Sequence, residues 1–532
     1  MKNTQATGFR LLQHLTEWIF QHRLWVLSIF IFIQYSLAAT NGLWYGDFWE
    51  HSAVVNELML HPFRPHHPQV KIDVSHVFFN PYALLVAATG LLFKIDAITA
   101  LAIFGAINFL ILVYGLNSFI STANQQSSSE IAFYTLLLAM FLWSSGSWLF
   151  SGFYNFKIIN DILPYPSTLA LGLSLVALRL QYTFLNRPIN SSWLSRKSLS
   201  IALGLILISS IVLLIHPITA LFLWTGLACQ LFSGAALKNI WHWLGLGAIV
   251  ILSIATASIW PYFSIIQLMF KEGAAYHLAN SSMYLDVLQN LWPVLITTPF
   301  IIQPALSRSY RAILLILLVL LFLYCWGYFS QHYSYGRCIT FVLLLANILF
   351  AQTLVRAEQW LISKPLLSPL LKGGFACFVT IIASVWLYQM QGRLLTIANS
   401  IYLGRPISSQ IGYKHLMFLK DYVGHDEVVL ADIASSWILP TIAGKATATT
   451  HPLAFVPEWW NRKMAVIEFF EPNTSSVRRN EILRQFKPQY LLINKAVNTN
   501  WLALMNQYLD SAERNVIVAI DGEMILIRIG HL

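Results

Sequence analysis

A polytopic α-helical membrane protein of about eleven spans, carrying a small C-terminal α/β domain, is the fold class that this sequence predicts. The 532 residues are 57% hydrophobic and only 11% charged, whereas soluble domains are about 25% charged. The mean hydropathy is +0.61. Apolar runs of about 17–20 residues recur along the chain, each long enough for a helical crossing. Near residue 391 the composition changes, and nearly half of the chain's charges lie beyond it, the mark of a soluble domain.

The balance of 33 basic against 23 acidic residues leaves +10. In a membrane protein such an excess is first explained by loops that stay in the cytoplasm. No basic block with interleaved aromatics points to nucleic acid. Cys229, Cys325, Cys338 and Cys377 lie in or beside apolar spans, with no C-x-x-C and no disulfide framework. Residues 1–23 are polar, show no small-residue cleavage site and run into a span, the pattern of an uncleaved anchor.

The first span is expected at 24–40. Residues 41–79 are too polar to cross. The apolar stretch 81–93 would form a helix only about 20 Å long, against roughly 30 Å of hydrocarbon. Laid in the interface, it leaves later spans near 97–119, 131–149, 166–182, 200–215, 218–234, 243–260, 289–305, 312–328, 338–355 and 373–390. With the N-terminus inside, the cytoplasmic loops hold Arg179, Arg187, Arg196, Lys197, Lys238, Arg308, Arg311, Arg356, Lys364 and Lys372. The later loops on the opposite side are poorer, with Lys157, Lys271 and Arg337 beside Asp161, Glu272 and Asp286. If 81–93 crossed, every later loop would flip and the bias would run backwards. The expected protein is therefore an inner or plasma membrane protein with a cytoplasmic N-terminus. Its membrane domain covers 1–390, with interfacial helices within 41–96, and an extracytoplasmic domain covers 391–532.

In that last domain, 427–432 and 489–494 read as strands, and 435–443, 457–470, 475–486 and 499–509 as helices. Residues 515–521 and 524–529 read as a hairpin across Asp521-Gly522. Such alternation means a small α/β domain. It contains neither G-x-G-x-x-G nor a P-loop.

Candidate chemistry begins at Gly46-Asp47-Phe48-Trp49-Glu50-His51. Asp47, Glu50 and His51 share one helical face at i, i+3 and i+4, continued by Val54 and Leu58. Phe48 and Trp49 flank it and suit the lipid interface. The same Asp-x-x-Glu spacing suits a helix cap. In the second polar loop, 151–164, Asp161 follows Asn160 among aromatics, and also suits a turn. Arg337 lies between two spans at the outer interface, where a guanidinium forks onto a phosphate or snorkels to headgroups. His332, Lys157 and Lys271 are weaker phosphate candidates. His61, His66, His67 and His76 do not follow a zinc-ligand spacing, and Pro62, Pro65 and Pro68 preclude one regular helical face. A loop lining a cavity or touching headgroups is the favoured reading; no cofactor is assigned and a divalent metal is not favoured. Trp459-Trp460 suits sugar stacking or plain packing.

The pattern resembles the GT-C superfamily, integral-membrane glycosyltransferases that use lipid-phosphate sugars. The matching residues are Asp47 in its motif, Phe79-Asn80-Pro81-Tyr82 opening the short helix, and Asp161 in the second loop. His216-Pro217, Trp260-Pro261-Tyr262 and Tyr335-Gly336-Arg337 also match. The first loop lacks the Asp-x-Asp that some of these families carry. The resemblance implies a polyprenyl-phosphate-linked sugar donor, a glycan, lipid or protein acceptor, and a cavity bounded by Asp47, Asp161 and Arg337. Inverting transfer needs a carboxylate to take the acceptor's proton, and Asp47 is the expected base. Glu50 and His51 would orient the acceptor or tune Asp47, with Trp49, His76 and Tyr82 lining the acceptor cavity. Two other readings stand beside this one: an envelope polysaccharide polymerase or ligase using a lipid diphosphate, and a non-catalytic transporter or assembly scaffold.

Overall fold

The computed structural model describes residues 17–40, 42–142, 148–186, 195–233, 239–272, 280–306, 310–364, 374, 413–449, 456–510 and 516–530. Among the described residues, seven stretches of helix are long and apolar enough to cross a membrane: Arg23–Thr40, Ala97–Ile120, Pro166–Leu185, Arg196–Ile215, Ile240–Ser258, Arg311–Phe329 and Tyr333–Ile362. The chain is thus an integral membrane protein. The expected spans 131–149, 218–234 and 289–305 correspond to the helices Ser128–Phe141, Pro217–Ser233 and Val287–Leu306. The expected span 373–390 lies outside the described residues but for Gly374, as do Arg187, Lys238, Arg308, Lys372 and Cys377. Two compact units divide the chain. A bundle unit takes Met1–Ala38, Gly105–Ala257 and Asn280–Gln391; a sheet unit takes Ala39–Phe104, Ser258–Ala279 and Gly392–Leu532.

In the bundle unit, the Cys338–Ile362 helix is buried along most of its length and packs on Ser128–Phe141 and Arg311–Phe329. Lipid offers no hydrophobic push between helices, so close backbone approach and interhelical hydrogen bonds hold them. Gly115 and Gly172 approach so nearly that a Cβ on Gly115 would stand 2.5 Å from the Gly172 carbonyl oxygen. Gln181 donates to the Leu227 carbonyl at 2.8 Å, and Gln230 donates back to the Leu178 carbonyl at 3.0 Å. Buried Arg23 pairs with buried Glu358 at 2.7 Å. The Tyr134 hydroxyl donates to the second Glu358 oxygen at 2.8 Å, so neither oxygen of that carboxylate is left unmatched.

The sheet unit is built on five strands: β1 (Val428–Leu430), β2 (Lys445–Ala446), β3 (Tyr490–Asn494), β4 (Val516–Asp521) and β5 (Met524–Arg528). Their order is β2-β1-β3-β5-β4. β2 and β3 run parallel to β1, and β5 is antiparallel to β3 and β4. Side chains alternate across a strand, and the burial follows. Leu430, Leu491, Ile493, Ile525 and Ile527 face the helices Trp459–Phe470, Ser476–Phe486 and Trp501–Asp510. Val429, Leu492, Met524 and Leu526 face the Ile433–Ile442 helix and the 3₁₀ helix Lys414–Asp421. The Asp521-Gly522 hairpin forms as expected, with Gly522 at φ +53°. Neither β2 nor the Lys414–Asp421 helix was expected.

The segment after the first span belongs to this unit. The Phe48–Leu60 helix packs on Ile433–Ile442, where the Ser52 and Thr441 hydroxyls meet at 2.7 Å. Val70 forms a parallel bridge with Ala446, and the Ala446 N–H donates to the Gln69 carbonyl at 2.7 Å. Phe48 and Trp49 are buried, which corrects their expected place in the lipid interface. Phe48 stacks on Trp44 at 4.1 Å, and Trp49 lies 5.2 Å from the Tyr413 ring. Ten of this helix's 13 residues are buried.

The Pro81–Phe93 helix has 13 residues, with Pro81 in its first turn and the Asn80 side chain accepting the Ala83 N–H at 3.0 Å. Lys94 ends it in the left-handed conformation, φ 54°. The helix is therefore short by construction, capped at both ends.

One carboxylate fastens the sheet unit. Glu57, fully buried, sits on the Phe48–Leu60 helix. Its Oε2 accepts from Lys445 Nζ and lies beside His425 Nε2, each at 2.7 Å. Its Oε1 accepts the His66 N–H at 2.8 Å and lies 3.0 Å from His61 Nδ1. Lys445 also donates to the His67 and Pro68 carbonyls at 3.0 and 3.4 Å. Burial pushes the Glu57 carboxyl up, but the bond to His425 and the charge and bond of Lys445 outweigh it and hold it well below the usual range.

Two outcomes follow from this packing. Gly115→Leu forces a side chain into the Gly172 backbone and lowers stability by roughly 1–3 kcal/mol, read as an earlier thermal midpoint in detergent. Glu57→Gln leaves Lys445 buried without its counter-charge and costs about 3–5 kcal/mol. Pairing it with Lys445→Met restores most of the loss, which chemical denaturation of the single and double variants measures.

Candidate functional site

In the sheet unit, Gly46 turns the chain at φ +63° and delivers Asp47 to the N-cap position of the Phe48–Leu60 helix. There its side chain makes no capping hydrogen bond. The reading of Asp-x-x-Glu as a cap is thus not what the fold uses. Half-buried Asp47 is followed by buried Glu50 and His51. The His51 ring lies 4.7 Å from Phe78. Burial pushes its pKa down to about 4, against the pull of the Asp47 charge, so the imidazole is neutral near pH 7. His76 is buried too, and burial first, then the charges of His51 and Lys445, bring it to about 3. Its Nδ1 accepts the Phe78 N–H at 3.2 Å, which puts the ring proton on Nε2. Trp49 and Tyr82 are buried. A carboxylate beside a neutral imidazole is an arrangement able to take a proton and pass it on.

In the bundle unit, Arg337 closes the 3₁₀ turn Tyr333–Arg337 and caps the helix that follows. Its Nε donates to Asn280 at 2.9 Å, one terminal nitrogen donates to the Ser151 hydroxyl at 3.0 Å, and the guanidinium lies 5.2 Å from the Phe150 ring centroid. It thereby meets the start of the second polar loop. A small hollow lies there, lined by Ser151, Tyr154, His216, Thr219, Arg337 and Thr340 among others. Asp161 lies half-buried in the short helix Ile159–Ile162 and does not line this hollow. Lys157 and His332 are exposed; His332 Nδ1 lies 2.9 Å from the Ser330 carbonyl oxygen. Lys271 belongs to the π-helical turn Leu268–Glu272, its side chain outside the described residues. Asp47, Glu50, His51, Trp49, His76 and Tyr82 therefore fall in one unit, and Asp161, Arg337, Lys157 and His332 in the other.

Sequence reasoning missed Glu57, His425 and Lys445. The one local signal was the Glu57–His61 spacing of i, i+4, which places both on one helical face. The four first-loop histidines divide. His61 lies at Glu57, whose carboxylate is also held by the His66 N–H. His67 and His76 are buried 4.9 Å apart, ring to ring. His67 Nδ1 accepts the Gln69 and Val70 N–H groups.

Neither a protein-family model nor a curated protein matches the chain. Solved structures do. ArnT from Cupriavidus metallidurans bound to undecaprenyl phosphate superposes with a TM-score of 0.50 at 12% identity, over 94% of this chain and 97% of that one. An oligosaccharyltransferase from Archaeoglobus fulgidus, tethered to an acceptor peptide containing the NVT sequon, gives 0.52 at 11% identity, over 92% and 71%. AglB from Archaeoglobus fulgidus, with an inhibitory peptide and a dolichol-phosphate, gives 0.51 at 11% identity over the same shares, 92% and 71%. Through both its helical bundle and its mixed sheet, the chain has the fold of the GT-C membrane glycosyltransferases.

Proposed function

We propose that this protein transfers a sugar from a polyprenyl-phosphate donor to a cell-envelope acceptor on the extracytoplasmic side of the membrane, with Asp47 as general base. The observation that carries the reading is the placement of Asp47 at the mouth of a helix just after the first span, uncommitted to capping in a chain of this fold. In the reaction, the Asp47 carboxylate takes the acceptor hydroxyl proton as that oxygen bonds to C1 of the sugar. The C1–O bond to phosphate breaks, and its electrons leave with the phosphate, inverting the anomeric centre. Neutral His51 holds the carboxylate's orientation. Arg337, with one face turned to a hollow, neutralises the phosphate and its growing charge.

The short Pro81–Phe93 helix supports a membrane-surface role. Its Leu92 and Phe93 are 75% and 67% exposed, an apolar end suited to the headgroup–acyl boundary where a lipid-borne sugar presents its head. The basic excess of the loops expected in the cytoplasm supports the sidedness.

The test is a transfer assay on purified protein, with membranes supplying donor and acceptor. Asp47→Asn is expected to lose transfer about a hundredfold or more while keeping the wild-type thermal midpoint. Arg337→Ala is expected to raise the donor KM about tenfold. Wild-type turnover by the Asp47→Asn protein would remove Asp47 from the chemistry.

A further inference from the structure

We propose that Glu57, His61 and His425 bind one zinc ion that clasps the first-loop helix to the C-terminal sheet. The Glu57 carboxylate, His61 Nδ1 and His425 Nε2 offer ligand atoms all within 4.8 Å of one another. A neutral imidazole nitrogen and a carboxylate oxygen are zinc's usual hard-to-borderline ligands, and two His with one Glu leave a fourth position for water. In a tetrahedral site with bonds of about 2.0–2.1 Å, ligand atoms stand about 3.3 Å apart. His61 Nδ1 lies 3.0 Å from Glu57 Oε1 and His425 Nε2 lies 2.7 Å from Oε2, each within about 1 Å of that spacing, so the carboxylate stands between the two imidazoles with one oxygen toward each.

The backbone prepares each ligand. Glu57 and His61 are one turn apart, and His61 is the residue at which the helix stops, its N–H donating to the Glu57 carbonyl at 2.8 Å. The His66 N–H fixes the Glu57 carboxylate from the other side of the loop. His425 arrives from the turn before β1, braced by the Gly424 N–H on the Glu427 carboxylate at 2.6 Å. The Glu57 carboxylate is wholly buried, while the side chains of His61 and His425 are 38% and 22% exposed, which leaves an entry path on the histidine side. Lys445 shares Glu57 Oε2 with His425 and donates besides to the His67 and Pro68 carbonyls. Its positive charge pairs with the Glu57 carboxylate.

The experiment uses full-length protein purified in detergent with a tag free of histidine, stripped with chelator and titrated with Co²⁺ and then Zn²⁺. The wild type is expected to show the visible absorption of tetrahedral cobalt, to retain about one zinc per chain by elemental analysis, and to melt earlier after chelation. His425→Gln and His61→Gln are each expected to weaken cobalt binding at least about tenfold and to abolish the chelator's effect on melting, while His332→Gln in the bundle unit changes neither. Absence of stoichiometric cobalt binding by the folded wild type, or unchanged affinity in His425→Gln, overturns the proposal and leaves Glu57 as the centre of a purely protonic network. These readouts do not depend on sugar transfer, so they stand or fall apart from the assignment of Asp47.

Discussion

A carboxylate withdrawn wholly from water must find inside the protein everything that water supplied, and Glu57 does. An ammonium, a main-chain N–H and two imidazoles surround its two oxygens. Half of that set comes from the loop after the first span and half from the last quarter of the chain. Leaving one part out strands a buried charge, which is far costlier than an exposed ion pair is helpful. The pair therefore acts less as glue than as a registration pin. The parallel bridge from Val70 to Ala446 lies beside it, since Ala446 follows Lys445 in β2 and pairs with Val429 on its other edge.

The bundle unit solves a different problem by different means. Its helices cannot rely on expelling water, so they come together where side chains are absent, as at Gly115 and Gly172. They are also joined where side-chain amides reach across, as in the reciprocal bonds of Gln181 and Gln230. Glu358 repeats, within this unit, the logic of Glu57: the carboxylate is tolerated because each of its oxygens is matched, by Arg23 and by Tyr134. The Arg337 site differs. Its guanidinium donates to neutral oxygens of Asn280 and Ser151, which fix the plane of its fork.

Much of this was legible along the chain, and the reason is periodicity. β3 and β5 alternate burial between two helical layers, so 489–494 and 524–529 stood out as strands, and the Asp521-Gly522 pair marked the turn between them. The shortness of 81–93, bracketed by Asn80-Pro81 and Lys94, was equally visible. The face formed by Asp47, Glu50 and His51 needed only the helical repeat. What stayed hidden was everything set by distant partners. β2 has two residues, one of them a lysine, and no period can reveal it. Phe48 and Trp49 looked like interface aromatics because nothing local says that Trp44 and Tyr413 will cover them. Glu57 looked like one more polar residue, since Lys445 stands 388 positions away.

That separation has a consequence for how the molecule is made. Translation delivers the first loop early and the sheet last, so the Glu57 side chain spends most of synthesis hydrated and waiting. The first loop's bridge to the sheet can form only after Ala446 has left the ribosome. Closing so long a loop is entropically slow rather than prohibitive, since its cost grows only with the logarithm of length. Assembly of the sheet unit thus couples the first loop to residues made 388 positions later.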